Sequence, residues 1–140
     1  MSYSIRAMRA EDYEPVYALW VKTDGVGVNE CDTRDGVQAF LERNPNMSAV
    51  ALDAGQRLVG AVLCGHDGRR GYLHHLAVAP EHRRHGLARK MLDLCFAEMR
   101  RLGIVKCNIF LFNDNNAGEA FWLHNGWKRR GDLQVLQKPV

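Results

Sequence analysis

Apolar residues change their spacing twice along this chain, and each change marks a change of backbone. "YSIRAM" alternates, which predicts a short first strand over 3–8; after it Tyr13, Val16, Tyr17 and Trp20 recur at helical spacing. Pro15 is tolerated only within the first turn of that helix and places its start near Asp12. "TDGVGVNECD" (23–32), with two glycines, an Asn and three acids, reads as a loop. A second helix follows, capped by Thr33, with Val37, Phe40 and Leu41 on one face and Asn44-Pro45 as its end.

From residue 47 the period drops to two. "MSAVALD" and "RLVGAVLCG" are strand-like runs parted by "AGQ", a hairpin signal, and the turn "HDGRRG" leads into a third antiparallel strand, "YLHHLAVA". Strict alternation puts Tyr72, His74, Leu76 and Val78 on one face of that strand, and Leu73, His75 and Ala77 on the other. The helical period returns in "GLARKMLDLCFAEMRRLG", where Ala88, Met91, Leu92, Cys95, Met99 and Leu102 share a face and Gly103 is a natural stop. The strand "IVKCNIFLF" closes a strand–helix–strand unit and should run parallel to the strand before it. A last helix over 116–124 and a last strand within "GWKRRGDLQVLQK" complete an α/β chain with a mixed sheet.

A length of 140 residues with 46% hydrophobic positions suits one core, so residues 1–140 are expected to form a single domain. A net charge of +3 argues against nucleic acid or an anionic membrane as the general partner. The four cysteines form no C-x-x-C pair, and neither they nor the six histidines show metal-ligand spacing, so no metal is expected. With no apolar core for a signal peptide at the N-terminus and no run long enough to span a bilayer, the expected location is the cytoplasm.

The local signal for chemistry is "HRRHGLAR" (82–89), a cationic block with a glycine where a long helix begins. Helix N-termini present unpaired N–H groups and a partial positive charge, and a glycine there lets an anion come close. No G-K-[ST] follows, which excludes a P-loop, and G-x-G-x-x-G is absent, which excludes a Rossmann fingerprint.

"LAVAPEHRRHGLARKML" resembles the acetyl-CoA motif of the GNAT N-acetyltransferases, [RQ]-x-x-G-x-[GA] after an "AV-x-P" strand, with Arg83, Gly86 and Ala88 in its three positions. "NNAGEAFWLHNGW" is similar to the family's second signature, with Asn115, Phe121, Gly126 and Trp127 in register. The resemblance runs over essentially the whole chain. It implies a GNAT-type mixed, strongly twisted sheet, antiparallel in its N-terminal part, with a parallel strand pair splayed around the cofactor. It implies acetyl-CoA as cosubstrate. The pyrophosphate would lie on the backbone amides of Arg84, His85, Gly86, Leu87, Ala88 and Arg89, the pantetheine along Leu76, Ala77 and Val78, and the thiol end beside Asn115, Phe121 and Trp122. Two positions depart from the family: the signature's Tyr is Trp122, whose indole N–H is no general acid near neutral pH, and its Ala is Gly118.

Acetyl transfer needs a neutral amine, because an ammonium has no lone pair, and a histidine is the natural base to prepare it. His74 is the candidate base, with Tyr72 as a proton donor on the same face; His74 also stands where serotonin N-acetyltransferase, a member of the family, carries its base. The resemblance makes the Leu76 amide a candidate for stabilising charge on the thioester oxygen. No Ser-His-Asp or Cys-His spacing supports an acyl-enzyme, so direct transfer to a primary amine of a small molecule, peptide or protein is expected. The acids Asp24, Glu30, Asp32 and Asp35 of the early loop favour a cationic acceptor, whereas Arg69 and Arg70 would suit a carboxylate. Trp122 in place of Tyr keeps a non-catalytic acyl-CoA sensor open as the alternative. The chain is expected as a monomer or homodimer, with neither nucleic acid nor membrane as a partner.

Overall fold

The computed structural model describes residues 2–140. In chain order the elements are β1 (Ser4–Ala7), α1 (Tyr13–Lys22), α2 (Arg34–Arg43), β2 (Ala49–Leu52), β3 (Leu58–His66), β4 (Gly71–Val78), α3 (Leu87–Arg101), β5 (Cys107–Ile109) and α4 (Asn116–His124), with short 3-10 turns at Ala10–Asp12, Glu30–Asp32 and Pro80–His82. Two compact units result, one ending at Phe110 and the other comprising Leu111–Val140.

The first unit holds the sheet, in the order β1-β2-β3-β4-β5. The first four strands are antiparallel neighbours, and β5 joins β4 in parallel, as a strand–helix–strand crossing through α3 requires. Alternation along β3 sends its residues to two covered faces. Ala61 and Leu63 join Val16 and Trp20 of α1 and Val37 of α2 in one buried cluster. On the opposite face a side chain at Gly60 would approach Met91 of α3 to 3.0 Å, so α3 lies close over the sheet at that point. Helix boundaries follow local chemistry: Thr33 caps α2 by accepting the Gly36 N–H at 3.0 Å, and Gly103 stops α3 in a left-handed conformation at φ 78°.

The structure corrects two expectations about strands. β5 is three residues long, not nine, because its pairing with β4 ends at Leu73↔Ile109. Beyond that point Phe110 is 60% exposed. The last strand, within 126–138, does not form. Arg130 instead grips Asp132 through two 2.9 Å hydrogen bonds around Gly131, and Leu133, Val135 and Leu136 stay exposed. Alternation states which face a strand would bury; it creates no strand without a neighbour to pair with.

Candidate active site

The decisive irregularity lies in β4. Ala61 faces Ala77 and Leu63 faces His74, so one residue of β3 is opposed by two of β4, and the register shifts between them. His75 takes up the extra residue in a left-handed conformation, φ 56°. This overturns the strict alternation expected for the strand: His74 and Ala77, three residues apart, face the same side, and His75 also reaches toward α1 instead of the opposite face. Both histidines therefore stand on the α1/α2 side of the sheet, just where β5 leaves β4.

His74 packs edge-on against Phe40 of α2, with ring centroids 5.9 Å apart. Gly65 makes this possible, since a Cβ there would come within 2.7 Å of the Phe40 ring. Burial, and next the neighbouring His75, push the His74 imidazole below its ordinary 6.5, while Asp32 pulls more weakly the other way. A depressed folded-state pKa means the unfolded chain binds the proton more readily. The contribution of His74 to stability is thus complete above about pH 6.5 and is lost as pH falls toward the depressed value. Thermal melts from pH 7.5 to 5 should show the wild type losing more stability than His74→Gln; parallel losses would contradict the shift.

His75 is held by three contacts. Its Nε2 lies 2.8 Å from Asp32 Oδ2, and as a carboxylate only accepts, Nε2 carries the proton. Its carbonyl accepts the Trp20 indole N–H at 3.0 Å, and the two rings meet edge-on at 4.9 Å. Asp32 Oδ2 also accepts the Asn29 N–H at 2.9 Å. Asp32 is therefore not one of the acids facing an acceptor, as its place in an acidic loop had led one to expect: it is 5% exposed and committed to His75. Asp24, Glu30 and Asp35 remain at the surface.

Past Leu73 the β4 edge that β5 has left, from His74 to Val78, has no strand partner among the described residues. Arg83 reaches back to donate Nε to the Val78 carbonyl at 3.0 Å, fastening the following loop to the strand end. Arg84 and Gly86 are both left-handed, at φ 66° and 72°. A side chain at Gly86 would meet nothing within 4 Å, so the space before the helix is open. α3 starts with Lys90 N–H bonding to the Gly86 carbonyl at 3.0 Å, and no side chain among the described residues caps it. Arg84, His85, Gly86 and Arg89 are exposed while Leu87 is buried, so the loop is anchored inside and presents backbone and positive charge outside. The His85 ring rests on Tyr3, centroids 5.3 Å apart.

A parallel pair that parts beside an uncapped, glycine-led helix start leaves a free strand edge next to a place suited to an anion. Residues 7–127 match the model of the acetyltransferase (GNAT) family. An acetyltransferase of Sodalis glossinidius is 31% identical over 134 residues, 96% of this chain and 93% of that one. The chain belongs to the GNAT family. Its fold is shared by the PaiA N-acetyltransferase of Thermoplasma acidophilum in complex with coenzyme A (TM-score 0.79, 20% identity, 91% of each chain). AAC(6')-Iy in complex with a CoA-based bisubstrate analogue is also similar (TM-score 0.77, 15% identity, 100% of each chain). This GNAT protein is thus an N-acetyltransferase with acetyl-CoA as its donor.

The second GNAT signature lies in the second unit. Asn115 caps α4, its Oδ1 accepting the Gly118 N–H at 2.9 Å. Gly118 keeps that cap intact, since a Cβ there would lie 2.5 Å from Asn115 Nδ2. Trp122, standing where the signature has Tyr, is 6% exposed and packs against Phe121 and Trp127 at 5.1 and 4.9 Å. Its indole fills an aromatic cluster. Tyr72, two residues before His74, is half-buried with its ring 6.1 Å from Phe110.

Proposed function

We propose that this acetyltransferase, acting as one catalytic domain over residues 1–140, transfers acetyl directly from acetyl-CoA to a primary amine of a small molecule, peptide or protein, with His74 as the base. The observation that carries this reading is the β4 bulge, which sets His74 on the α1/α2 side where β5 departs. An imidazole held below its ordinary pKa is unprotonated at neutral pH and ready to take a proton from an incoming ammonium. Tyr72, on the same side of the strand, is the donor for the departing thiolate in place of the family's Tyr. The amides from Arg84 to Arg89 hold the pyrophosphate, and the free edge of Leu76, Ala77 and Val78 pairs with the pantetheine, the Leu76 amide meeting the thioester oxygen.

Two of the four thiols, Cys64 and Cys107, are unsuited to carrying an acyl group. Burial pushes Cys107 up to about 12, and buried Cys64, hydrogen-bonded to Cys95, is raised as well, so neither supplies a thiolate near neutral pH. The exposed acids Asp24, Glu30 and Asp35 beside α1 and α2 favour a cationic acceptor. Thiol release from acetyl-CoA should be followed across polyamines, an aminoglycoside, lysine peptides and peptides with free N-termini. Turnover with at least one class is expected, without acetylated protein as an intermediate in mass spectra. Acetyl-CoA bound but consumed with none of them would overturn the reading.

A further inference from the structure

Left-handed backbone at a bulky residue is strained and persists only where its surroundings hold it. At His75 the holding groups come from two different elements. Trp20 of α1, fully buried, takes the carbonyl that the bulge has turned out of the β3–β4 ladder. Asp32, in the 3-10 turn that ends the loop between α1 and α2, takes the imidazole. That turn is tied down in its own right: Asn29 Oδ1 accepts the Cys31 N–H at 2.9 Å, and the Tyr13 hydroxyl donates to the Asp32 carbonyl at 2.6 Å. The loop over 23–33 and the bulge of β4 thus share one hydrogen bond that is 14% exposed on the histidine side and 5% on the aspartate side.

We propose that His75 and Asp32 are positioning residues for acetyl transfer: their hydrogen bond fixes the β4 bulge and fastens the acceptor-side loop to it, so that filling the β4 edge orders the loop. The proposal rests on the reading of β4 as the acetyl-CoA strand. Neither residue needs to touch a substrate. A ligand paired along Leu76–Val78 restrains the bulge, and the restraint passes through Nε2 and Oδ2 to residues 29–32. By linkage, whatever then settles on the loop strengthens the grip on the ligand by the same factor.

The substitutions separate the bond from the backbone. Asn tolerates left-handed backbone but is too short to reach Asp32, so His75→Asn keeps the bulge and loses the bond. Asp32→Ala loses the bond from the other side. Asp32→Asn still presents an oxygen to Nε2–H and to the Asn29 N–H, and should rescue. The readout is amide hydrogen exchange with and without coenzyme A, alongside calorimetry of coenzyme A binding. In the wild type and in Asp32→Asn, coenzyme A should slow exchange several-fold in both 74–78 and 24–33. In His75→Asn and Asp32→Ala it should protect 74–78 alone, with the affinity for coenzyme A within about threefold of wild type. A residue that only stabilises the fold would change exchange equally with and without the ligand. Protection of 24–33 that survives in His75→Asn overturns the clamp and leaves the cofactor strand standing. Coenzyme A that binds the wild type without protecting 74–78 overturns the strand reading and the clamp with it.

Discussion

An Arg84→Glu, Gly86→Glu double variant is expected to fold and to lose at least a hundredfold in affinity for acetyl-CoA and free CoA in calorimetric titration. The reasoning is local. A side chain at Gly86 meets nothing in the protein itself within 4 Å, so the space it enters is the space before the helix. The left-handed φ of 72° charges any L-residue there roughly 1 kcal/mol, which should lower the melting temperature by only a few degrees. The anion suffers more. Charge-assisted hydrogen bonds contribute about 1.5–3 kcal/mol each, and two carboxylates at an uncapped helix start set repulsion where attraction stood. Because 1.4 kcal/mol is tenfold, loss of two such bonds alone accounts for the hundredfold. Gly86→Asn separates conformation from charge, since Asn accepts left-handed backbone, and it should lose less. Wild-type affinity in the double variant would mean that the pyrophosphate does not lie on residues 84–89.

Elements whose ends are written in local chemistry were legible from sequence. α4 runs from Asn116 to His124 as the pattern predicts, because Asn115 is a cap in its own right. α3 likewise starts at a glycine and stops before one, and its apolar face is a single stripe. What sequence could not show depends on partners. β5 shrinks to three residues because its length is set by how far β4 stays beside it. "LQVL" alternates well, yet a strand needs a neighbour, and it stays exposed.

The candidate site was half legible. "HRRHGLAR" marks a cationic, glycine-led helix start through residue types alone, and α3 begins there. The bulge carries no such mark: "LHHLAV" reads as alternation whether or not one residue is inserted, and the slip that places His74 and His75 on the same side is specified by Val62 facing two residues and by Trp20 reaching a carbonyl. Asp32 was misplaced for a related reason. In sequence it is one acid among several in a loop, and only the fold, across 43 residues, brings it to His75. The hint in the sequence is the spacing of Asn29 and Asp32, which form a reciprocal cap at the start of the 3-10 turn, each side chain accepting a backbone N–H there.

His74→Gln should lower kcat/KM by about 10²–10⁴, the usual contribution of a positioned general base, with acetyl-CoA affinity near wild type. The direction of the pKa shift sharpens the test. Wild-type activity must fall on the acid side as His74 takes up a proton, and since burial and His75 hold it below 6.5, that limb should lie below 6.5. Glutamine has no titrating group, so the limb should vanish in the variant, leaving a low rate set by the fraction of acceptor that is neutral. That fraction rises tenfold per pH unit below the amine's own pKa, so the variant should gain with pH where the wild type is level. His75→Asn is the natural contrast: it leaves the base in place, so its acid limb must persist even where its rate is lower. If His74→Gln stays within about threefold of wild type from pH 5.5 to 8.5, the proton goes elsewhere. His74 would then be a sheet residue packed against Phe40, and an acceptor that arrives already neutral, or a water reached from the open β4 edge, would have to do without it.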